Sequence, residues 1–288
     1  MQTSSDGELA ERLHRYKAMP DEYYAEGDDH VGMTAFGDLQ QVDQLGYRPG
    51  KSVQLWEWMS GSGRLSATAR ARGMSHLPPL DYRYGHNLGH WRHQLTALFC
   101  LFVFPVDVLW SSPTCTPWSV NARQWQAETR DAQRQEEALT LQFLAIACFV
   151  QLVLGRDFII EQPKGSDLFE AYGIKLLTGS ESLVKIFTWI FDQCMLGAES
   201  GGIPTKKRTQ LAASFPFVQD PPQCDGSHPH QILRGHLGGT SRTAAAAVYP
   251  HAMCQLILDE VTGVSKQQQL GGEMPRSTST TCSAWIIW

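Results

Sequence analysis

The chain is predicted to fold as an α/β domain, a mostly parallel sheet with helices on both faces. Three features point there. Short apolar runs at 52–59, 105–111 and 157–161 read as strands, each ended by glycine, proline or a polar loop. Helix-forming stretches separate them, and parallel strands joined by helices need cover on both sides. With 288 residues, 42% of them hydrophobic, the chain can bury one sizeable core.

Residues 1–50 form a polar leader with ten acidic and four basic side chains, a balance of −6 that leaves +1 of the net −5 for all the rest. The acidity therefore belongs to the leader, and the body is not repelled from nucleic acid. One short helix is expected at 7–18, and the rest of the leader is read as loosely ordered. Seven cysteines, odd in number and irregular in spacing, include Cys100 and Cys148 within apolar runs. They read as reduced thiols, and no basic-then-apolar signal opens the sequence, so an intracellular location, the nucleus included, is expected. The apolar run 139–154 contains Gln142 and Gln151 and is read as a buried helix, with no membrane partner.

The body is placed at 51–262. Its first strand, 52–59, runs into Ser60-Gly61-Ser62-Gly63 and then a helix with the sequence LSATARARG. A glycine turn between strand and helix lets backbone approach a cofactor closely, although many ordinary turns look the same. Glu57 either faces that site or ends its strand at the surface. Asp81 follows Gly63 by 18 residues, the spacing at which an acid reaches ribose hydroxyls, or else is a solvated strand end.

The second strand, 105–111, enters the loop Ser112-Pro113-Thr114-Cys115-Thr116-Pro117. Prolines stiffen a polar loop at the carboxyl end of a strand, where such sheets carry reactive groups, so Cys115 is read as reactive rather than structural. A long helix over 128–155 precedes the third strand, 157–161, which ends on Glu161-Gln162-Pro163. A carboxylate at the end of a buried strand is costly unless it is exposed, paired or used. An amphipathic helix is expected over 183–194, a late strand over 209–214 and a last helix over 249–261. The segment 263–288 is read as a disordered tail.

These elements, in this order, resemble the carbon-5 cytosine DNA methyltransferase family over about residues 52–260, and a divergent member of mobile-element or phage type. SGSG resembles the cofactor loop, SPTCTPWS the nucleophile loop and Glu161-Gln162-Pro163 the catalytic glutamate site. KKRTQL resembles the family's arginine-bearing strand. The resemblance implies a Rossmann-like class I methyltransferase fold that binds S-adenosylmethionine and acts on DNA. It makes Cys115, Glu161 and Arg208 catalytic, and Glu57, Ser60, Gly61, Gly63, Asp81, Asn87 and Pro113 cofactor-binding. Asn87 enters because only 34 residues separate Asp81 from Cys115, which implies one lost helix.

Thr114 and Gln162 stand where the family has proline and asparagine, and the target-recognition region is expected to be reduced or absent. An alternative is therefore kept, a catalytically inactive, mobile-element-derived module that binds nucleic acid or a partner. The motif CDGSHPH offers Cys224, His228 and His230, with Cys194 or Cys254 to complete a zinc set. Its Cys-x3-His-x-His spacing is not a standard finger pattern, and no metal is expected.

Overall fold

A computed structural model describes residues 52–270 except Ser180, Glu181 and Leu183. The helix expected at 7–18, the rest of the leader and residues 271–288 lie outside the described residues.

The main sheet has five strands. β1 (Val53–Trp58), β2 (Val106–Ser111) and β3 (Asp157–Pro163) pair in parallel. β4 (Phe187–Asp192) lies at the far edge, and β7 (Arg208–Ala213) runs antiparallel between β3 and β4. The spatial order is β1-β2-β3-β7-β4, so the sheet is mixed but mostly parallel. Two-residue strands β5 (Glu199–Ser200) and β6 (Ile203–Pro204) pair with each other, as do β8 (His236–Leu237) and β9 (Thr240–Ser241).

Helices cover both faces. β1 side chains alternate, as a strand requires. Trp56 and Trp58 enter one core beneath α2 (Trp91–Val103), α3 (Ala127–Val153) and α4 (Tyr172–Thr178). Leu55 enters the other, with Leu65 and Ala69 of α1 (Arg64–Ala71) and Met253, Ile257 and Val261 of α6 (His251–Leu270). A short helix, α5 (Arg242–Ala245), precedes α6. The arrangement is the mostly parallel α/β sheet, covered by helices on both faces, that the alternating sequence predicts.

α3 is long and apolar enough by composition to cross a membrane. In this fold it buries Leu141, Leu144, Ala147 and Cys148, while Leu139, Ile146, Phe149 and Val153 face outward. Gln151, polar within this run, donates to the Val106 carbonyl at 3.0 Å and so ties α3 to β2.

Two expectations are corrected. Residues 187–192 form β4, not the end of an amphipathic helix, because Trp189 and Phe191 are buried at period two and pair antiparallel with β7. The helix in this region is α4, upstream. The last helix continues to Leu270 rather than ending near 261, and Val264 is buried against the same core as Val261, so helical packing outruns the expected boundary at 262.

Candidate functional site

β2 delivers the Cys115 loop at its carboxyl end. The Trp118 and Ser119 amides both donate to the Cys115 carbonyl, at 3.1 and 2.8 Å, closing a tight turn around the thiol. Gln162 Nε2 donates to the Pro113 carbonyl at 2.6 Å, and Ser166 Oγ donates to Gln162 Oε1 at 2.9 Å. At the other end of the loop, Arg134 Nε donates to the Pro117 carbonyl at 2.9 Å, and its guanidinium lies 4.8 Å from the Trp118 ring centroid. The loop is thus braced by β3 on one side and by α3 on the other. A cavity of about 280 Å³ lies behind this brace, between Trp118, Arg134, Gln142 and Gly173; neither Cys115 nor Glu161 lines it.

Glu161 is buried at the end of β3. Tyr249 Oη donates to its Oε2 at 3.3 Å, and Lys207 Nζ stands 3.9 Å from its Oε1. Oε1 is buried and has no hydrogen-bond partner among the described residues. Lys207 Nζ also donates to the Ala246 carbonyl at 3.3 Å and lies 5.9 Å from the Tyr249 ring centroid. Burial pushes the Cys115 thiol up; the Lys207 ammonium works against that and the Glu161 carboxylate adds to it. Cys115, Glu161 and Lys207 therefore share one electrostatic site at the carboxyl ends of β2 and β3, where open parallel sheets place their chemistry. Burial and the nearby Glu161 also hold the Tyr249 phenol well above its ordinary value, so it is a proton donor at neutral pH.

The glycine turn sits at the carboxyl end of β1. Met59, Gly61 and Gly63 all have positive φ, of 53°, 57° and 66°. For Met59 this is a strained conformation, held by its amide donating to the Leu80 carbonyl at 2.6 Å. At Gly63 a Cβ would fall 2.7 Å from the Tyr84 hydroxyl, which would have to move, and the positive φ itself disfavours a side chain. Asp81 follows a segment that runs parallel to β1 through bridges at His76 and Leu80. Its Oδ2 accepts from the Gly61 amide at 2.9 Å and its Oδ1 from the Arg83 amide at 3.0 Å. Asp81 thus fastens the turn from below, and Ser60 Oγ is buried in the turn without a hydrogen-bond partner among the described residues.

Glu57 is fully buried, not a surface strand end. Its Oε2 accepts from both the Ser66 amide, at 2.8 Å, and the Ser66 hydroxyl, at 2.6 Å, capping the first turn of α1 from β1. Burial pushes its carboxyl up to about 7 against these hydrogen bonds. Asn87 is half-buried and its side chain closes a local turn, Oδ1 accepting from the Gly89 amide at 2.9 Å, while its own backbone amide donates to His93 Nδ1.

Arg208 does not join Cys115 and Glu161. Its Nε lies 3.5 Å from Asp192 Oδ1, and a terminal nitrogen donates to Gln223 Oε1 at 2.8 Å. The residue that reaches the site is its neighbour, Lys207. The sequence pattern places Lys207 within the basic run KKRTQL without a role of its own and does not single out Tyr249. The basic run 206–208 signals a cation, but not which of its members turns inward. On the far side of β4 the structure also brings together Cys194, Cys224, His228 and His230, whose ligand atoms all lie within 4.8 Å of one another.

No family model matches the chain, and no curated protein matches it. Among solved structures it is similar to a crystal structure of a mutant of Spodoptera frugiperda DNMT2, with 16% sequence identity and a TM-score of 0.34. The match covers 61% of this chain and 57% of that one, so the chain spans a little over half the length of its structural relative.

Proposed function

We propose that this chain is an S-adenosylmethionine-dependent methyltransferase acting on carbon 5 of cytosine in DNA through a covalent cysteine adduct. The observation that carries the reading is the meeting of Cys115, Glu161 and Lys207 at the strand ends, with Glu161 Oε1 buried, 3.9 Å from the Lys207 ammonium and without a hydrogen bond among the described residues. Leaving a carboxylate oxygen dry and without a donor is costly, and an N–H of a bound base would relieve that cost.

The glycine turn fits the cofactor at Ser60, Gly61 and Gly63. Ser60 Oγ is unpartnered there, the backbone is open at Gly61, and Asp81 retains acceptor capacity beyond its two amide donors. Bound S-adenosylmethionine would supply an electrophilic methyl group. The chain's own residues do the rest. A cytosine flipped out of the duplex enters beside the Cys115 loop. Cys115 Sγ loses its proton and bonds to carbon 6, with Lys207 favouring the thiolate. Glu161, held by Tyr249, faces the ring nitrogen and manages the proton there, so that electron density moves to carbon 5. After methylation the carbon 5 proton leaves, the sulfur–carbon 6 bond breaks and the thiol is regenerated.

DNA of mixed sequence containing 5-fluorocytosine tests this. Fluorine at carbon 5 cannot leave as a proton does, so the adduct should accumulate, and only with S-adenosylmethionine present. It should be lost in Cys115→Ala and kept in Cys100→Ala. Cofactor binding with no adduct on any DNA would replace this reading with that of a binding module.

A further inference from the structure

We infer that Cys194, Cys224, His228 and His230 form a structural zinc site. The ligand types are those zinc selects, two thiolates and two imidazoles, and all four come from this chain, leaving no open position for catalysis. The spacing of the donor atoms fits. Zinc bonds of about 2.3 Å to sulfur and about 2.0 Å to nitrogen place sulfur and nitrogen about 3.6 Å apart at tetrahedral angles. Cys224 Sγ lies 3.3 Å from His230 Nε2 and 3.8 Å from His228 Nε2, on either side of that value. The Gly226 amide donates to Cys224 Sγ at 3.4 Å, an outer hydrogen bond of the kind that orients a thiolate ligand.

A second observation stands apart from the cluster. No residue from 219 to 235 is buried, and Val218, just before the stretch, and Ile232, within it, are 77% and 69% exposed. A stretch with no apolar anchor needs another restraint to keep one path. Its backbone is nevertheless threaded through specific contacts: the Asp192 amide donates to the Pro222 carbonyl at 3.0 Å, and the Gln231 amide to the Pro204 carbonyl at 2.8 Å. A metal at Cys194 and Cys224 would fix this loop to the turn after β4. That turn is also tied to the basic arm, since the Gln193 amide donates to the Lys207 carbonyl at 3.1 Å. The zinc would be a brace behind Lys207, and the site stands whether or not the chain transfers methyl groups.

The full chain, made with zinc in the medium and purified under reducing conditions without chelator, should hold one zinc per chain by elemental analysis. Cys224→Ser and His230→Asn should each lose it, whereas Cys254→Ser, on the buried face of α6, should keep it. Cobalt in place of zinc should give the strong visible bands of a tetrahedral site with thiolate charge-transfer absorption. A reduced, folded wild-type chain that takes up neither metal would overturn the inference, as would zinc retained in Cys224→Ser or a Cys194–Cys224 disulfide in protein taken directly from cells. If the variants do not fold, the wild-type stoichiometry and cobalt spectrum still decide.

Discussion

The Tyr249 hydroxyl donates to Glu161 Oε2 at 3.3 Å, joining the segment before the last helix to the end of β3 across 88 positions of sequence. Oε1, 3.9 Å from Lys207 Nζ, is left without a hydrogen bond among the described residues and is the oxygen proposed to meet a substrate. Tyr249→Phe should therefore leave cofactor affinity unchanged and slow 5-fluorocytosine adduct formation by about 10- to 100-fold, the usual worth of a hydrogen bond to a charged group. It should also cost about 1–3 kcal/mol of stability, because a buried carboxylate oxygen loses its donor. Urea unfolding and adduct kinetics read the two effects separately, and an unchanged adduct rate would remove Tyr249 from the site.

Lys207 and Arg208 should separate cleanly. Lys207→Gln removes the ammonium that opposes the upward push on the Cys115 thiol, so adduct formation should fall by at least 10-fold and its pH profile should move to higher pH. Arg208→Gln loses contacts with the buried Asp192 and with Gln223, neither of which pairs with Cys115 or Glu161, and should leave the rate within about twofold. The reverse ranking would restore Arg208 to the catalytic role that sequence reading gave it.

That pair shows where sequence reading stops. Successive strand residues point to opposite faces, so a motif names a basic run while register decides which cation arrives. The parallel strands were legible because each apolar run ends abruptly on Gly-Ser, Pro or Glu-Gln-Pro, and those ends carry the Gly61 turn, Cys115 and Glu161. Residues 183–194 were not, since KIFTWIF satisfies both a helical face and strand alternation, and pairing with β7 settles it. The quartet of Cys194 with the 224–230 motif was half visible. Cys194 and Cys254 are equally plausible in sequence, and the turn after β4 selects the first.

Glu57 makes stability depend on pH. Its folded-state value of about 7 lies above its ordinary 4.5, so the native state holds the proton more tightly than the unfolded chain does. Its contribution is intact below about pH 4.5 and declines as pH rises through 7, by an amount on the order of 3 kcal/mol. Glu57→Gln keeps an acceptor for Ser66 and cannot ionise. Compared with wild type, it should gain stability at pH 8 and little at pH 5. Parallel unfolding curves for the two proteins across that range would show that this carboxyl does not titrate as proposed.

Asp81 links the cofactor turn to the sheet. Asp81→Ala frees the Gly61 and Arg83 amides and removes the acceptor proposed for ribose. S-adenosylmethionine affinity by calorimetry should fall by about 1–3 kcal/mol. Asp81→Asn keeps one oxygen and should lose less. Equal affinity in all three proteins would mean that the turn does not hold the cofactor.

Gln162 tests whether the Cys115 loop must be held rigid. Its amide nitrogen donates to Pro113 at 2.6 Å and its oxygen accepts from Ser166 at 2.9 Å, so the side chain, fully buried, spans from the end of β3 to the nucleophile loop. Gln162→Ala leaves the Pro113 carbonyl and the Ser166 hydroxyl without these partners, at a cost of about 1–3 kcal/mol for each group that stays dry. Proline keeps the loop stiff locally, but nothing else described fixes the Pro113 carbonyl to β3. The thiol should then sample positions away from Glu161. Adduct formation should slow by about 100-fold, the usual penalty for a small displacement of a reacting group, while S-adenosylmethionine affinity stays at the wild-type value because the glycine turn is untouched. Gln162→Asn keeps both functions on a side chain one carbon shorter. Since the shorter side chain cannot reach Ser166 and the Pro113 carbonyl as well as glutamine does, the rate should fall between wild type and alanine. A wild-type rate in Gln162→Ala, with the protein still folded, would show that the loop holds its own shape and that Gln162 matters only to the core.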